Sequence, residues 1–438
     1  LALLGILIAT SSIVFEDQLP VLSVGVSFHI PDILLLGSLG LILIRGFFEP
    51  DFKIVRTPLD WAVLLFIGVT LLSTFIALYQ SSVDAIQARR WIRILCYYLT
   101  FFIVTNLVRD RRQLDFLLNG IFFLASVVAA AMAVQFMLGS SVQLLPGRVE
   151  ILDTQGIVYE NVTRILPPGY SIVLVSFVTI LSMMVLEKSK SFGWLRFLEC
   201  GLLGMAILAT FLRSYWAAII VAFILLVYLA RGKDRQRLVH WGLITVLVGV
   251  VILLLSLSGP DSRGEKLISA SLDRLTSLGK TSTFAGQDSS VNWRLRENEY
   301  ALISISQHPW LGQGMGFTYR PFDNKMDQTY PLSGGFDFRQ FIHNGHFWIM
   351  LQSGLIGYGI FMWLSLSFLV RGFKYWRSIT EDRYRGVVLG FTLVYLAILI
   401  AAVVNSTFMQ WYWAPILGIM MGTNEVIYAK FRQPETVF

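Results

Sequence analysis

The sequence predicts an all-α polytopic membrane protein of about twelve transmembrane helices. Three observations predict it. Of 438 residues, 55% are hydrophobic and 14% charged, and mean hydropathy is +0.65; a soluble domain carries about 25% charged residues. The apolar residues come in runs of about twenty, where the strands of an outer-membrane barrel would alternate over about ten. Basic residues gather in alternate loops, as the positive-inside rule requires. This composition excludes a typical soluble domain and a disordered chain.

The apolar spans fall near 1–14, 32–48, 59–79, 91–108, 113–138, 168–186, 194–212, 214–230, 239–257, 343–370, 386–405 and 410–429. The first is short, as expected of a trimmed end. Almost no loop separates the seventh and eighth spans at Arg213. Alternate loops carry Arg45/Lys53/Arg56, Arg109/Arg111/Arg112, Lys188/Lys190/Arg196, Arg231/Lys233/Arg235/Arg237, Arg371/Lys374/Arg377/Arg383/Arg385 and Lys430/Arg432. That side is expected to be cytoplasmic, with both termini on it. The formal net charge of +7 is then a topology signal and gives no support to nucleic-acid binding.

Two loops on the opposite face are long, 139–167 and 258–341, far beyond an ordinary connector of about 4–6 residues. The second divides the chain into spans 1–9 (1–257), an extracytoplasmic loop (258–341), and spans 10–12 with the C-terminus (342–438). Its aromatic content, including Trp293, Tyr300, Trp310, Tyr319 and Phe338, predicts a folded piece. Val291 to Gln307 reads as a helix, with Asp288, Ser289 and Ser290 as capping candidates and Pro309 disfavouring its continuation. Trp310-Leu311-Gly312-Gln313-Gly314-Met315-Gly316 then forms a glycine-rich turn.

Candidate chemistry gathers at the outer interface. Arg213 sits between two apolar spans, where an arginine either snorkels or meets an anion. Its planar fork suits a pair of phosphate oxygens. Arg294 and Arg296 are two apart on the loop helix, so at most one faces a common site. Arg89, Arg90 and Arg93 open the fourth span, either as interface anchors or as a basic rim for an anionic headgroup. His343 and His346 open the tenth span at helical spacing, which predicts a shared face. An imidazole there can accept a proton or donate to phosphate, although a lone interface histidine is more often structural.

Other patterns carry less. Cys96 and Cys200 both lie in apolar runs and read as small core hydrophobes. The five histidines form no HExxH, which gives metal binding little support. Gly312-x-Gly314-x-Gly316 follows a helix and lacks a Walker lysine. Asn161-Val162-Thr163 has the pattern of a glycosylation sequon. Glu297 and Glu299 fit solvated helix faces better than a glycosidase pair.

Two segments resemble one family. Arg294 is followed by Ala301, by His308-Pro309, and by Leu311-Gly312-x-Gly314; His343-Asn344 is followed by Gly354-Leu355-Ile356-Gly357. This order resembles the O-antigen ligase and O-antigen polymerase superfamily, with its arginine-initiated loop helix, HPxxGxG, HNxxL and GLxG. The specific likeness covers 288–357 plus the Arg213 turn, and the topology agrees. The chain departs at Asn298, where tryptophan is usual, and at His346 and Phe347, where tyrosine and leucine are usual.

The resemblance implies a GT-C-like inverting glycosyltransferase of the bacterial inner membrane, working on its periplasmic side without metal, nucleotide or other cofactor. The donor would be a glycan on undecaprenyl diphosphate, and the acceptor a glycan or a lipid core. Carried over, Arg213 and Arg294 bind the diphosphate and His343 sits at the reacting centre, with Arg90 and His346 as further substrate contacts. No DxD-type carboxylate pair lies near these motifs, so fixed arginines would neutralise the leaving group. A ligase reading is slightly favoured over a polymerase that joins lipid-linked repeats. A lipid-linked sugar transporter is the competing class; it would show internal pseudo-symmetry and helices broken at mid-membrane, and the sequence shows neither.

Overall fold

The computed structural model describes residues 1–11, 21–24, 26–154, 157–186, 194–232, 234–236, 238, 269, 289–323 and 337–433. Within them run α1 (Ala2–Thr10), β1 (Val21–Val24), β2 (Val26–His29), α2 (Ile30–Phe48), α3 (Asp60–Tyr79), α4 (Ala85–Cys96), α5 (Thr100–Leu107) and α6 (Arg111–Leu138). These are followed by β3 (Arg148–Thr154), β4 (Ile157–Leu166), α7 (Tyr170–Leu186), α8 (Trp194–Ala209), α9 (Arg213–Leu229), α10 (Ser289–Gln307), α11 (Gly345–Tyr375), α12 (Asp382–Ala401) and α13 (Ala414–Phe431). The ninth span, 239–257, lies outside the described residues.

The protein is mainly helical, and five described helices are long and apolar enough to cross a membrane: Ile30–Phe48, Asp60–Tyr79, Arg111–Leu138, Gly345–Ser378 and Asp382–Ala401. Tyr170–Leu186 and Arg213–Leu229 are shorter apolar helices. One expectation is corrected. The span 91–108 is not one helix: a 3-10 turn, Tyr97–Leu99, separates α4 from α5. The long loop 139–167 holds an antiparallel hairpin, β3–β4, with a bulge at Ile151/Leu152. The alternation of Val149 and Ile151 with Arg148 and Glu150 was the available strand signal. A second hairpin joins β1 to β2.

Small residues bring the helices close. A Cβ on Gly386 or Gly390 of α12 would fall 2.6 Å from Met183 Cα or 2.5 Å from Thr179 Cα of α7. The same four-residue spacing recurs on α13, where Gly418 and Gly422 meet Thr100 and Val104 of α5. Such GxxxG faces let backbones approach where lipid gives helices no hydrophobic reason to associate. Both α7 and α12 are almost wholly buried and form the centre of the bundle.

The basic loops gather at one end of this bundle. Arg111 pairs with Glu381 at 2.8 Å and Arg383 with Asp115 at 3.3 Å. Arg109 donates to the Lys53 carbonyl at 2.8 Å, Lys430 donates to the Arg109 carbonyl, and Arg377 donates to the Leu229 carbonyl at 3.2 Å. Just inside, Arg371 makes a bidentate bridge to buried Glu425, at 2.8 and 2.7 Å. The motif residues lie at the opposite end.

Candidate active site

Helix α10 ends at Gln307, one residue before His308-Pro309, as the proline requires. The capping candidate Asp288 lies outside the described residues. One face of α10 is buried at Glu297, Ala301, Ser304 and Ile305, which follows helical spacing. Arg294, three residues before Glu297, falls on that face and is half-buried, whereas Arg296 is exposed.

Glu297 is the residue that sequence reasoning missed. It was expected on a solvated face; its side chain is 2% exposed, while that of His343 is 35% exposed. Glu297 Oε2 accepts from the His343 backbone N–H at 3.2 Å and lies 2.8 Å from His343 Nδ1. Its Oε1 accepts from Trp293 Nε1 at 3.0 Å. The edge of Phe341 packs on the His343 ring at 5.0 Å. Two sequence signals were available: the i, i+4 pair Trp293/Glu297, and the place of Glu297 on the Ala301 face.

The glycine-rich turn after α10 locks into a break in α11. Gly354 has φ 65° and ψ −170°, which interrupts the helix. This also corrects the expectation of unbroken spans. The groups released there are taken up by the turn: Gln313 N–H donates to the Leu351 carbonyl at 2.7 Å and Gly314 N–H to the Gln352 carbonyl at 3.2 Å. In return Leu355 N–H donates to the Pro309 carbonyl at 2.8 Å and Ile356 N–H to the Trp310 carbonyl at 3.2 Å. Ser73 and Thr74 of α3 complete the joint, through Gln352 O at 2.8 Å and Met315 N at 3.1 Å. These bonds satisfy backbone groups freed by the break within protein. The HPxxGxG and GLxG motifs are two halves of one junction.

Asn344 caps α11, its side chain accepting from His346 and Phe347 N–H, both at 3.1 Å. His343 therefore precedes the helix, and the expected shared face with His346 does not exist. His346 turns into the bundle, where Nε2 meets the Leu399 carbonyl at 3.0 Å and Nδ1 the Tyr358 hydroxyl at 3.3 Å. With both ring nitrogens held there, it is not among the groups assigned to substrate below.

The connection from α12 to α13 ties the start of α9 to the start of α11. Gly345 N–H donates to the Ala402 carbonyl at 2.7 Å, and Asn405 Nδ2 donates to Ser214 Oγ at 2.6 Å. Tyr215 and Thr407 hydroxyls lie 3.0 Å apart. Arg213 is the first residue of α9, half-buried, where helix N–H groups and the helix dipole favour an anion. The turn before it contains Phe211 at φ 49°, a left-handed conformation that costs a bulky residue about 1–2 kcal/mol. Buried packing of Phe211 on Trp216, and a bond from Arg164 of β4 to the Thr210 carbonyl at 3.3 Å, hold this turn in place.

Arg90 is half-buried on α4. Its neighbour Trp91 donates to Gln340 Oε1 at 2.9 Å and packs on Trp348, which puts this part of α4 against the segment before His343. Arg93 is committed elsewhere, to Asp32 at 2.7 Å. Among the described residues no three His, Cys, Asp or Glu side chains cluster as a metal site would need.

Residues 200–362 match the family model described as O-antigen ligase. No curated protein matches the chain. The matched segment contains Arg213, α10, Glu297, His343 and the Gly312–Gly354 junction. Over this segment the chain is similar to the O-antigen ligase family.

Proposed function

We propose that this protein is a membrane glycosyltransferase that moves a glycan from undecaprenyl diphosphate to an acceptor hydroxyl, in the manner of an O-antigen ligase. The acceptor would be a lipid A core or another surface glycan. The setting would be the bacterial inner membrane, with the site on the periplasmic side and both termini cytoplasmic. The observation that carries the reading is the contact of His343 with buried Glu297, inside the segment matched by the family.

In this reading the acceptor oxygen attacks the anomeric carbon while the bond to the diphosphate breaks. Negative charge develops on the leaving oxygen. Arg294, on the Glu297 face of α10, and Arg213, at the N-terminus of α9, supply fixed positive charge for it. Arg90 lines the rim and meets the donor headgroup. Each principal arginine is worth about 10²–10³ in rate.

The test uses the protein in liposomes with an undecaprenyl-diphosphate-linked repeat, with and without a lipid-core acceptor. A single transferred product that needs the acceptor is expected. Arg294→Ala and His343→Ala should each lower turnover by about 10²-fold or more, and EDTA should leave it unchanged. A ladder of lengthening glycans without acceptor would replace the ligase by a polymerase. Movement of the donor across the bilayer without transfer, or activity that EDTA abolishes and Mg²⁺ restores, would overturn the mechanism.

A further inference from the structure

Two chemical roles are open to a histidine at this centre, proton acceptor or phosphate donor, and they need different protons on the ring. The surroundings of Nδ1 choose between them. A carboxylate offers only lone pairs. Glu297 receives two N–H groups, from Trp293 Nε1 and the His343 backbone, at 3.0 and 3.2 Å, and its Oε2 lies 2.8 Å from His343 Nδ1. Facing an ionised carboxylate, Nδ1 satisfies that geometry by carrying a hydrogen.

We infer that Glu297 is a positioning residue that holds His343 in its Nδ1–H form, so that Nε2 is the proton acceptor of the reaction. This rests on the glycosyl-transfer reading above. Glu297 holds both the ring and the peptide N–H of the same residue, so ring rotation and backbone drift are restrained together. Phe341 closes one side of the ring. Nε2 has no partner among the described residues, and the side chain is 35% exposed. A buried carboxylate is costly to leave unpaired, so α10 and the His343 segment stay docked.

The step balances as follows. The acceptor O–H bond breaks and its proton passes to Nε2. The acceptor oxygen forms its bond to the anomeric carbon, and the electron pair of the broken glycosidic bond leaves with the diphosphate. Glu297 keeps its electrons, takes no proton, and faces the imidazolium that forms. The ring then returns its proton to solvent.

Glu297→Gln keeps the size and removes the charge. Its expected effect is a fall in kcat of about 10²-fold or more with KM within about threefold. In the His343→Ala background the same change should cost little further, because the two residues act as one unit. Unchanged kcat in an active preparation, or losses that multiply in the double variant, would overturn the inference. A second measurement needs no variant of Glu297. In ¹⁵N-histidine-labelled wild-type protein, at about pH 8 where an ordinary imidazole is neutral, the His343 signal should report hydrogen on Nδ1 and none on Nε2. Hydrogen on Nε2, or on both nitrogens, would overturn it. Failure of wild-type transfer would instead remove the glycosyl-transfer reading, and the ring spectrum would still judge the tautomer.

Discussion

Helix α10 is fastened to the membrane bundle twice, and the two fastenings use different chemistry. At Glu297 one side chain reaches across to His343. At Gly312–Gly354 two backbones exchange hydrogen bonds. The backbone joint has no room: a Cβ on Gly354 would come within 2.2 Å of the Trp310 carbonyl oxygen, and one on Gly312 within 2.6 Å of Gly354 N. It sets where α10 lies. The side-chain joint sets what the ring of His343 can do. Position and reactivity are thus encoded by separate motifs about ten residues apart along α11.

Three substitutions separate the contributions. Gly354→Ala attacks the backbone joint and should do most harm. Its positive φ and the clash together should cost about 2–4 kcal/mol, seen as lost folded yield and a lower melting temperature in detergent. Asn344→Ala removes the cap between the two joints and should cost about 1 kcal/mol, readable in the same melt. Gly359→Ala is the control on the same helix: a Cβ there meets nothing within 4 Å. It should be neutral or stabilise by up to about 1 kcal/mol. A Gly354→Ala protein that melts like Gly359→Ala would dissolve the distinction between the joints.

The five described helices long enough to cross a membrane were legible because such a helix writes its length as an apolar run. The loop helix was legible because Pro309 punctuates it. The break at Tyr97–Leu99 was not, since those residues are apolar themselves. It is made by distant partners: Tyr97 donates to Asp32 at 2.8 Å, Tyr98 to the Phe408 carbonyl at 2.8 Å, and Thr100 to the Pro415 carbonyl at 3.0 Å. Glu297 was misjudged for the same reason. Its partner lies 46 residues away, and the local signals, Trp293 and the Ala301 face, do not name that partner. His346 was misjudged because interface histidines look alike in sequence until the groups that hold their nitrogens are known.

The break in α11 also acts as a depth gauge. Before it, from Gly345 to Gly354, no residue of the helix is exposed; from Leu355 onward exposed apolar side chains recur at Ile356, Trp363, Leu366 and Val370. Residues 355–375 span about 31 Å at 1.5 Å per residue, which matches a hydrocarbon core of about 30 Å. Residues 355–375 therefore have the length of a bilayer crossing on their own, and the 345–354 stretch adds about 14 Å enclosed by protein. The place of His343 is set by the protein packed around residues 345–354.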